Sequence, residues 1–357
     1  MRIAVFTKNW FGDVIFETPA IRVIKENIPN AHLVAITTPR CVDLLEVNPY
    51  VNEVIPFDEK GDERGLLAKL KFMRKLRAHQ IDRAYLFHRS STRARIAKWA
   101  GIRERIGYNT KGRDHLLTYA VPEPSGPIHD VQYFLDLLSA SGLRVSGDYA
   151  YEFYFSKSDD ERAESLLKEY GLDRSRLVAV NAGANWAPKR WPADFYRELV
   201  HQLIGEYGVQ VALTGSCEDE PIARQIMGEE NQLPIVSLCG KTSIRELGAF
   251  YSKCRLLISN DSGPLHVGAG VGINVVGIFG PTAPRETAPI GRGKNVLIHY
   301  APEGVSLPWI GKHFPAPWME HISVDDVFQT IRREHVLSIP LEILSHVGAR
   351  KEGTGNV

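Results

Sequence analysis

Short apolar runs, four to eight residues long, recur through the chain with amphipathic segments between them. In the first half they fall at 2–7, 32–38, 51–57, 81–88 and 104–108; in the second, at 177–181, 209–214, 235–238, 256–259 and 274–279. Helical spacing of apolar residues fills the gaps at 14–27, 66–78, 92–100, 158–170 and 192–207. Runs this short and this continuously apolar are buried on both faces. Alternating them with helices predicts parallel sheets covered by helices. The pattern runs through two series that meet near 150–158, so the expectation is an α/β chain of two doubly wound Rossmann-like domains facing a cleft, where open sheets of this kind bind ligands. The expected divisions are 1–155, 156–325, and a terminal stretch 326–357. A last helix at about 324–336 could pack back on the first domain, and the tail after Val347 reads as a frayed end.

Composition narrows the function classes. The 357 residues are 44% apolar and 24% charged, with a net charge of +1. No global field selects nucleic acid, so recognition of charge has to be local. The four cysteines have no zinc-ligand or redox spacing; Cys217, Cys239 and Cys254 read as buried thiols of a reducing compartment. Lys8 and Asp13 interrupt the first apolar run too early for a signal peptide, and no run approaches the length of a membrane span. A cytoplasmic protein is expected, monomeric by default.

Two strand–loop–helix segments carry chemistry. In one, the run 256–259 leads into Asn260, Asp261, Ser262, Gly263, Pro264, Leu265 and His266. Gly263 permits a sharp turn, and Pro264 suits a first helical position because it has no N–H to satisfy. A helix start offers amide hydrogens and a positive dipole end, which suits a pyrophosphate. The same pattern also fits an ordinary turn with an Asp cap and glycines for packing. In the other, the run 177–181 leads into a loop holding Asn185, Lys189, Arg190 and Trp191 before Pro192. Lys189 is a compact cation for phosphate oxygens; Trp191 also reads as loop packing and Arg190 as a solvated charge. There is no G-x-G-x-x-G after the first strand, which removes the main sign of a dinucleotide-binding dehydrogenase.

Four motifs in order, residues 12–25, Pro188 to Pro192, 260–269 and Ile278 to Thr282, resemble glycosyltransferase family 9, the ADP-heptose:lipopolysaccharide heptosyltransferases. The resemblance covers about residues 1–335 and is nearest to the heptosyltransferase II branch. It implies the GT-B fold, a single inverting displacement, an ADP-heptose donor, and a phosphorylated lipopolysaccharide inner-core acceptor at the membrane surface. It implies no metal, no cofactor and no nucleic acid. By the same resemblance Asp13, beside Gly12, is the base that takes the acceptor's proton, although an Asp there also fits a helix cap. Lys189, with Asn185 in its loop, lies on the diphosphate. The amides from Ser262 to Leu265 bind phosphates, Asp261 accepts from heptose hydroxyls, and His266 contacts sugar or phosphate or merely packs. Asp219 takes the ribose diol, and the backbone of 235–238 and 240–242 meets the adenine. Glu218, Asp219 and Glu220 also mimic a metal motif, discounted because Lys189 and a helix start fill the cation's role. The sequence departs from the family at Pro264 and Leu265, where Leu and Met are expected, and at Gly268, Gly270 and Gly272, which bears on the shape of the sugar pocket.

Residues 83–113 hold nine Lys and Arg against Glu104 alone. The concentration reads as a site for an anionic glycolipid or an anionic leaflet, with Arg89, Arg93 and Arg113 as its phosphate-binding forks, or in part as a solvated helix face. Three other functions share these features: another family 9 transferase (heptosyltransferase I or III, or one with a different donor), a nucleotide-sugar epimerase, and a non-catalytic nucleotide-sugar binder.

Overall fold

In the computed structural model, which describes residues 1–145, 147–228, 233–307 and 317–337, every predicted apolar run becomes a parallel strand. The chain divides into two compact units between Phe155 and Ser156. The first holds β1 (Arg2–Phe6), β2 (His32–Thr37), β3 (Glu53–Pro56), β4 (Arg83–Leu86), β5 (Glu104–Tyr108) and β6 (Tyr119–Val121), in the spatial order β3-β2-β1-β4-β5-β6. The second holds β7 (Leu177–Asn181), β8 (Gln210–Leu213), β9 (Ile235–Ser237), β10 (Leu256–Asn260), β11 (Asn274–Phe279) and β12 (Asn295–His299), ordered β12-β11-β10-β7-β8-β9. Counted from its own first strand, each sheet has the same doubly wound order. Each therefore has one point where the strand order reverses: between β1 and β4, and between β7 and β10. At these points the loops leaving the two central strands diverge to opposite faces and open a crevice at the carboxyl ends.

Burial explains why the strands form where they do. All five residues of β7 and of β10 are buried, as strands covered on both faces must be. β6 and β12 are absent from the sequence-based reading. β6 is three residues long, and β12 is an edge strand with only partial cover, so neither produces a continuous apolar signal. The helix Asp130–Ala140 was also missed.

Three local corrections have simple causes. The helix expected over 14–27 is two helices, Phe11–Phe16 and Thr18–Asn27. Pro19 has no N–H for the Ile15 carbonyl, and the Thr18 hydroxyl donates to that carbonyl instead at 2.8 Å. The capping box expected at Ser158 lies two residues earlier, where the Ser156 Oγ accepts from the Asp159 amide at 3.2 Å and the Ser156 amide donates to the Asp159 carboxylate at 2.8 Å. The terminal helix, Val324–Arg333, packs within the second unit. Its Val327 and Ile331 sit in the second unit's core with Tyr196, Leu199 and Leu203 of the helix Ala193–Tyr207. The tail after Val347 lies outside the described residues. Among the described residues no helix is long and apolar enough to cross a membrane.

Candidate active site

The second unit's crevice is built from the polar residues that end its two central strands. A polar side chain at the end of a buried strand must find partners, because an unpaired buried group costs about 1–3 kcal/mol. Asn260, fully buried at the end of β10, satisfies all sides. Its amide nitrogen donates to the Ala182 carbonyl at 2.8 Å, and its oxygen accepts from the Trp191 amide at 3.0 Å and the Tyr196 hydroxyl at 2.9 Å. It therefore pins the loop after β7 to the loop after β10. Asn181, at the end of β7, donates to the Thr214 carbonyl at 2.9 Å and ties in β8. Trp191 completes the pinning: its indole N–H donates to the Ile322 carbonyl at 2.8 Å and its ring packs edge-on to Tyr196. Trp191 is thus a packing residue. Arg190 is exposed and donates to the Ala184 carbonyl at 2.9 Å, which holds the same loop closed.

That pinning brings Lys189 to Asp261, with Nζ 2.7 Å from Oδ2. Asp261 is 5% exposed and Lys189 25%, so the carboxylate is buried by its partner while the ammonium still reaches the surface. His266 Nε2 lies 3.9 Å from the other Asp261 oxygen, and His266 is buried. The helix Gly263–Gly270 starts beside them, with Ser262 as its N-cap in extended conformation. Ser262 gives no side-chain cap to its own helix; its hydroxyl lies 3.2 Å from that of Ser259. Close packing behind the helix needs Gly268, where a Cβ would stand 2.5 Å from the Leu257 side chain. The expected phosphate-binding amides of 262–265 are fewer than the sequence suggested. Pro264 has no N–H, and the Leu265 amide is turned onto the Ser262 carbonyl at 3.1 Å. Ser262 and Gly263 remain. Leu265 is fully buried. Asn185 is exposed in the preceding loop.

Asp219 closes the other flank. One of its oxygens accepts from the amide and hydroxyl of Ser216, each at 2.8 Å. The other points at Gly183: a Cβ there would lie 2.4 Å from it. Gly183 thus admits this carboxylate to the loop that carries Lys189. An apolar recess lined by Val180, Leu213, Ile222, Ala223 and Ile226 opens next to Asp219. Glu220 turns instead to Ser237 and Arg224. Among the described residues no group of three or more His, Cys, Asp or Glu side chains is placed to hold a metal ion. Cys217, expected buried, is exposed, because it begins the short turn Cys217–Asp219 instead of ending β8; Cys239 and Cys254 are buried.

In the first unit, Asp13 lies in the first turn of the helix Phe11–Phe16, after Gly12, and is half-buried. The N-cap is Trp10, so the capping alternative for Asp13 does not hold. One turn on stands Glu17, fully buried, whose Oε1 accepts the Lys8 amide at 2.7 Å. Burial pushes its carboxyl well above the usual range, and the Asp13 charge adds to the rise. Glu17 was not singled out from the sequence, although an acid in an otherwise apolar helical stripe was a visible signal.

Two of the three arginines expected on an acceptor are not surface groups. Arg93 and Arg113 have side chains about as buried as the core. Arg93 donates to the Thr7 carbonyl and, at 2.5 Å, to Asn9 Oδ1. Arg113 donates to the carbonyls of Tyr108 at 2.9 Å and His88 at 2.6 Å. Their forks satisfy strand-end carbonyls, so they are not available to a ligand phosphate. Burial and these two cations push His88 down to about 3. Arg89 remains half-exposed, 2.9 Å from Glu123 and 3.0 Å from the Tyr133 hydroxyl. Elsewhere in the basic stretch, Arg83 pairs with Glu104 at 2.6 Å and Arg105 donates to the Leu116 carbonyl at 2.7 Å, whereas Arg95, Arg103 and Lys111 are exposed.

Comparison with known proteins bears on the family and the fold. The model of glycosyltransferase family 9 (heptosyltransferase) matches residues 69–304. Lipopolysaccharide heptosyltransferase 2 of Salmonella typhimurium is 28% identical over 306 residues, covering 83% of this chain and 88% of that protein. The solved structure of ADP-heptose lps heptosyltransferase II of E. coli superposes with a TM-score of 0.75 at 26% identity, over 93% of this chain and 98% of the other. A glycosyl transferase family 9 structure from Veillonella parvula superposes with a TM-score of 0.81 at 22% identity, over 94% and 96%, which bears on the fold. The paired parallel sheets are those of the GT-B fold.

Proposed function

The chain belongs to glycosyltransferase family 9, and from that premise we propose that it moves a heptose from ADP-heptose to the inner core of lipopolysaccharide with inversion, as heptosyltransferase II. The observation that carries the reading is the Lys189–Asp261 pair, held at 2.7 Å against a helix start at the sheet's switch point. An ammonium has three donors and Asp261 takes one, so Lys189 keeps two for a diphosphate. The amides of Ser262 and Gly263 and the helix dipole add to it. Asp261 and His266 then stand where the sugar would lie, and Asn185 and Pro264 border the phosphates. The Asp219 oxygen facing Gly183 is an acceptor suited to a ribose diol, with the neighbouring apolar recess beside the adenosine.

In the reaction, the acceptor hydroxyl gives its proton to Asp13 as its oxygen attacks the anomeric carbon. The bond from that carbon to the diphosphate breaks, and the electron pair leaves with ADP. Lys189 and the amides are fixed before the reaction begins, so they meet the charge growing on ADP without reorganising. Arg89 is the acceptor-side cation the reading retains. The proposed place of work is the cytoplasm, peripheral on the inner face of the inner membrane.

The test is product analysis. Incubation with ADP-heptose and a heptose-deficient inner-core acceptor should add one heptose to the acceptor, by mass, and release ADP. A shift only with UDP-sugars, or conversion of donor without acceptor, would remove the heptosyltransferase assignment.

A further inference from the structure

The helix Leu66–Ala78 carries five basic residues, Lys69, Lys71, Arg74, Lys75 and Arg77, and no acid. Its inner stripe is Phe72, Met73 and Leu76, which are buried in the first unit's core. Three large apolar side chains of the same helix are exposed. Leu66 is 72% exposed, Leu67 82% and Leu70 43%. At 100° per residue, Leu66, Leu67, Leu70, Lys71 and Arg74 fall within about 140°, a sector that begins next to the buried Met73 and runs round the outward side, where Lys75 flanks it. Scattered exposed leucines need no explanation, but three clustered within one turn and a half, rimmed by cations, do. A soluble partner of ordinary composition would leave the ammonium groups to be desolvated at its centre. A bilayer interface accepts both kinds of group: the leucines enter the boundary between headgroups and acyl chains, and the lysine and arginine stems let their charges stay among the phosphates.

The basic surface continues past the helix. Arg77 donates to the Trp99 carbonyl at 2.7 Å, which sets the end of this helix beside that of the helix Ser91–Trp99. Trp99 is 55% exposed there, and Lys98 and Arg103 next to it are exposed too. Much of the charge between residues 83 and 113 is spent internally, as described above; of its exposed cations, Lys98 and Arg103 flank Trp99, and Lys98 also donates to the His115 carbonyl at 3.0 Å.

We propose that the outward face of Leu66–Ala78 is a docking surface for an anionic phospholipid bilayer, with Leu66, Leu67 and Leu70 inserted and Lys71, Arg74 and Lys75 on the headgroup phosphates. The proposal rests on the reading of this chain as an enzyme whose acceptor is membrane-borne, and gives that reading a specific surface.

The test uses the full chain in co-sedimentation with vesicles of phosphatidylcholine alone or mixed with phosphatidylglycerol. The protein should bind the mixed vesicles and not the neutral ones. The triple variant L66Q/L67Q/L70Q and the triple variant K71E/R74E/K75E should each bind at least about tenfold more weakly, and between about 0.1 and 1 M salt the binding of the wild type and of the leucine variant should fall more steeply than that of the charge variant. All of these residues are exposed, and a melting temperature equal to that of the wild type checks each variant's fold. Equal binding by either variant, or no binding by the wild type, overturns the proposal. So does a leucine-dependent dimer in gel filtration, which would assign the face to a second copy. Heptose transfer to a soluble, deacylated inner-core acceptor separates this surface from the reaction. Both variants should retain it. If no acceptor is ever glycosylated while the vesicle results stand, the reaction fails and the surface remains.

Discussion

At the carboxyl ends of β1 and β4 the first unit buries two guanidinium groups, Arg93 and Arg113, and a carboxyl group, Glu17. At the corresponding ends of β7 and β10 the second unit buries two primary amides, Asn181 and Asn260. The strand orders are the same; the chemistry that seals them is not. Primary amides donate and accept at once, so two of them close the second crevice with no net charge. Of the charges beside it, Asp261 is buried against Lys189, and the Lys189 ammonium still reaches the surface. The first unit instead spends two guanidinium groups on its own backbone, and its Asp13 lies half-buried in the first turn of the helix Phe11–Phe16. The contrast suits the proposed division of labour, in which the second unit would bind a charged leaving group and the first would supply a base.

Four substitutions can break or sharpen that contrast. The largest effect is expected at Asp13. Asp13→Ala should lower kcat by about 100- to 10,000-fold while ADP binding, measured by calorimetry, stays within a factor of two or so of wild type. Surviving turnover would strip Asp13 of its role. Next comes Arg113→Met, which leaves the Tyr108 and His88 carbonyls without their donor and should cost about 2–4 kcal/mol in urea unfolding. Loss of acceptor affinity at unchanged stability would instead return Arg113 to the binding surface. Lys189→Ala should weaken ADP binding roughly tenfold to a hundredfold, and it also leaves the buried Asp261 carboxylate without its ammonium, so stability should fall as well; unchanged affinity would take the lysine out of the site.

The smallest effect is expected at Glu17. Its folded pKa is raised above the unfolded value of 4.5, so its contribution to stability is fully present below that value and is lost as the pH rises through the folded pKa. Glu17→Gln keeps an oxygen for the Lys8 amide and has no proton to lose. Relative to wild type, the variant should gain stability as the pH rises from about 5 to 8. A difference that does not change with pH would mean that burial does not hold Glu17 protonated.

The strands that build the two crevices were legible because they are buried on both faces, and a doubly buried strand is a continuous apolar run. β6 and β12 were not, since a three-residue strand and a half-covered edge carry no such run. Lys189, Asp219 and the 260–266 segment were legible as chemistry because they end strands at helix starts. Asn260 was visible there as a polar residue closing an apolar run, but its three partners lie far back in the sequence, in the loop after β7 and the helix that follows it. The arginines misled for a related reason: Arg93 sits among Ala94, Ile96 and Ala97 in a helix whose buried face is read from apolar side chains, and a buried cation looks in sequence like a solvated one.

By itself, the sequence determined the alternating strands and helices, the residue types at each strand end, and the four motifs that place the chain in its family. Those depend on local pattern, which one-dimensional order preserves. Only the tertiary structure decided which charges are spent. It put Arg93 and Arg113 inward onto carbonyls, set Lys189 on Asp261, brought Gly183 against Asp219, and turned Leu66, Leu67 and Leu70 outward. A charged or apolar side chain has no assigned partner until distant strands and loops are folded beside it.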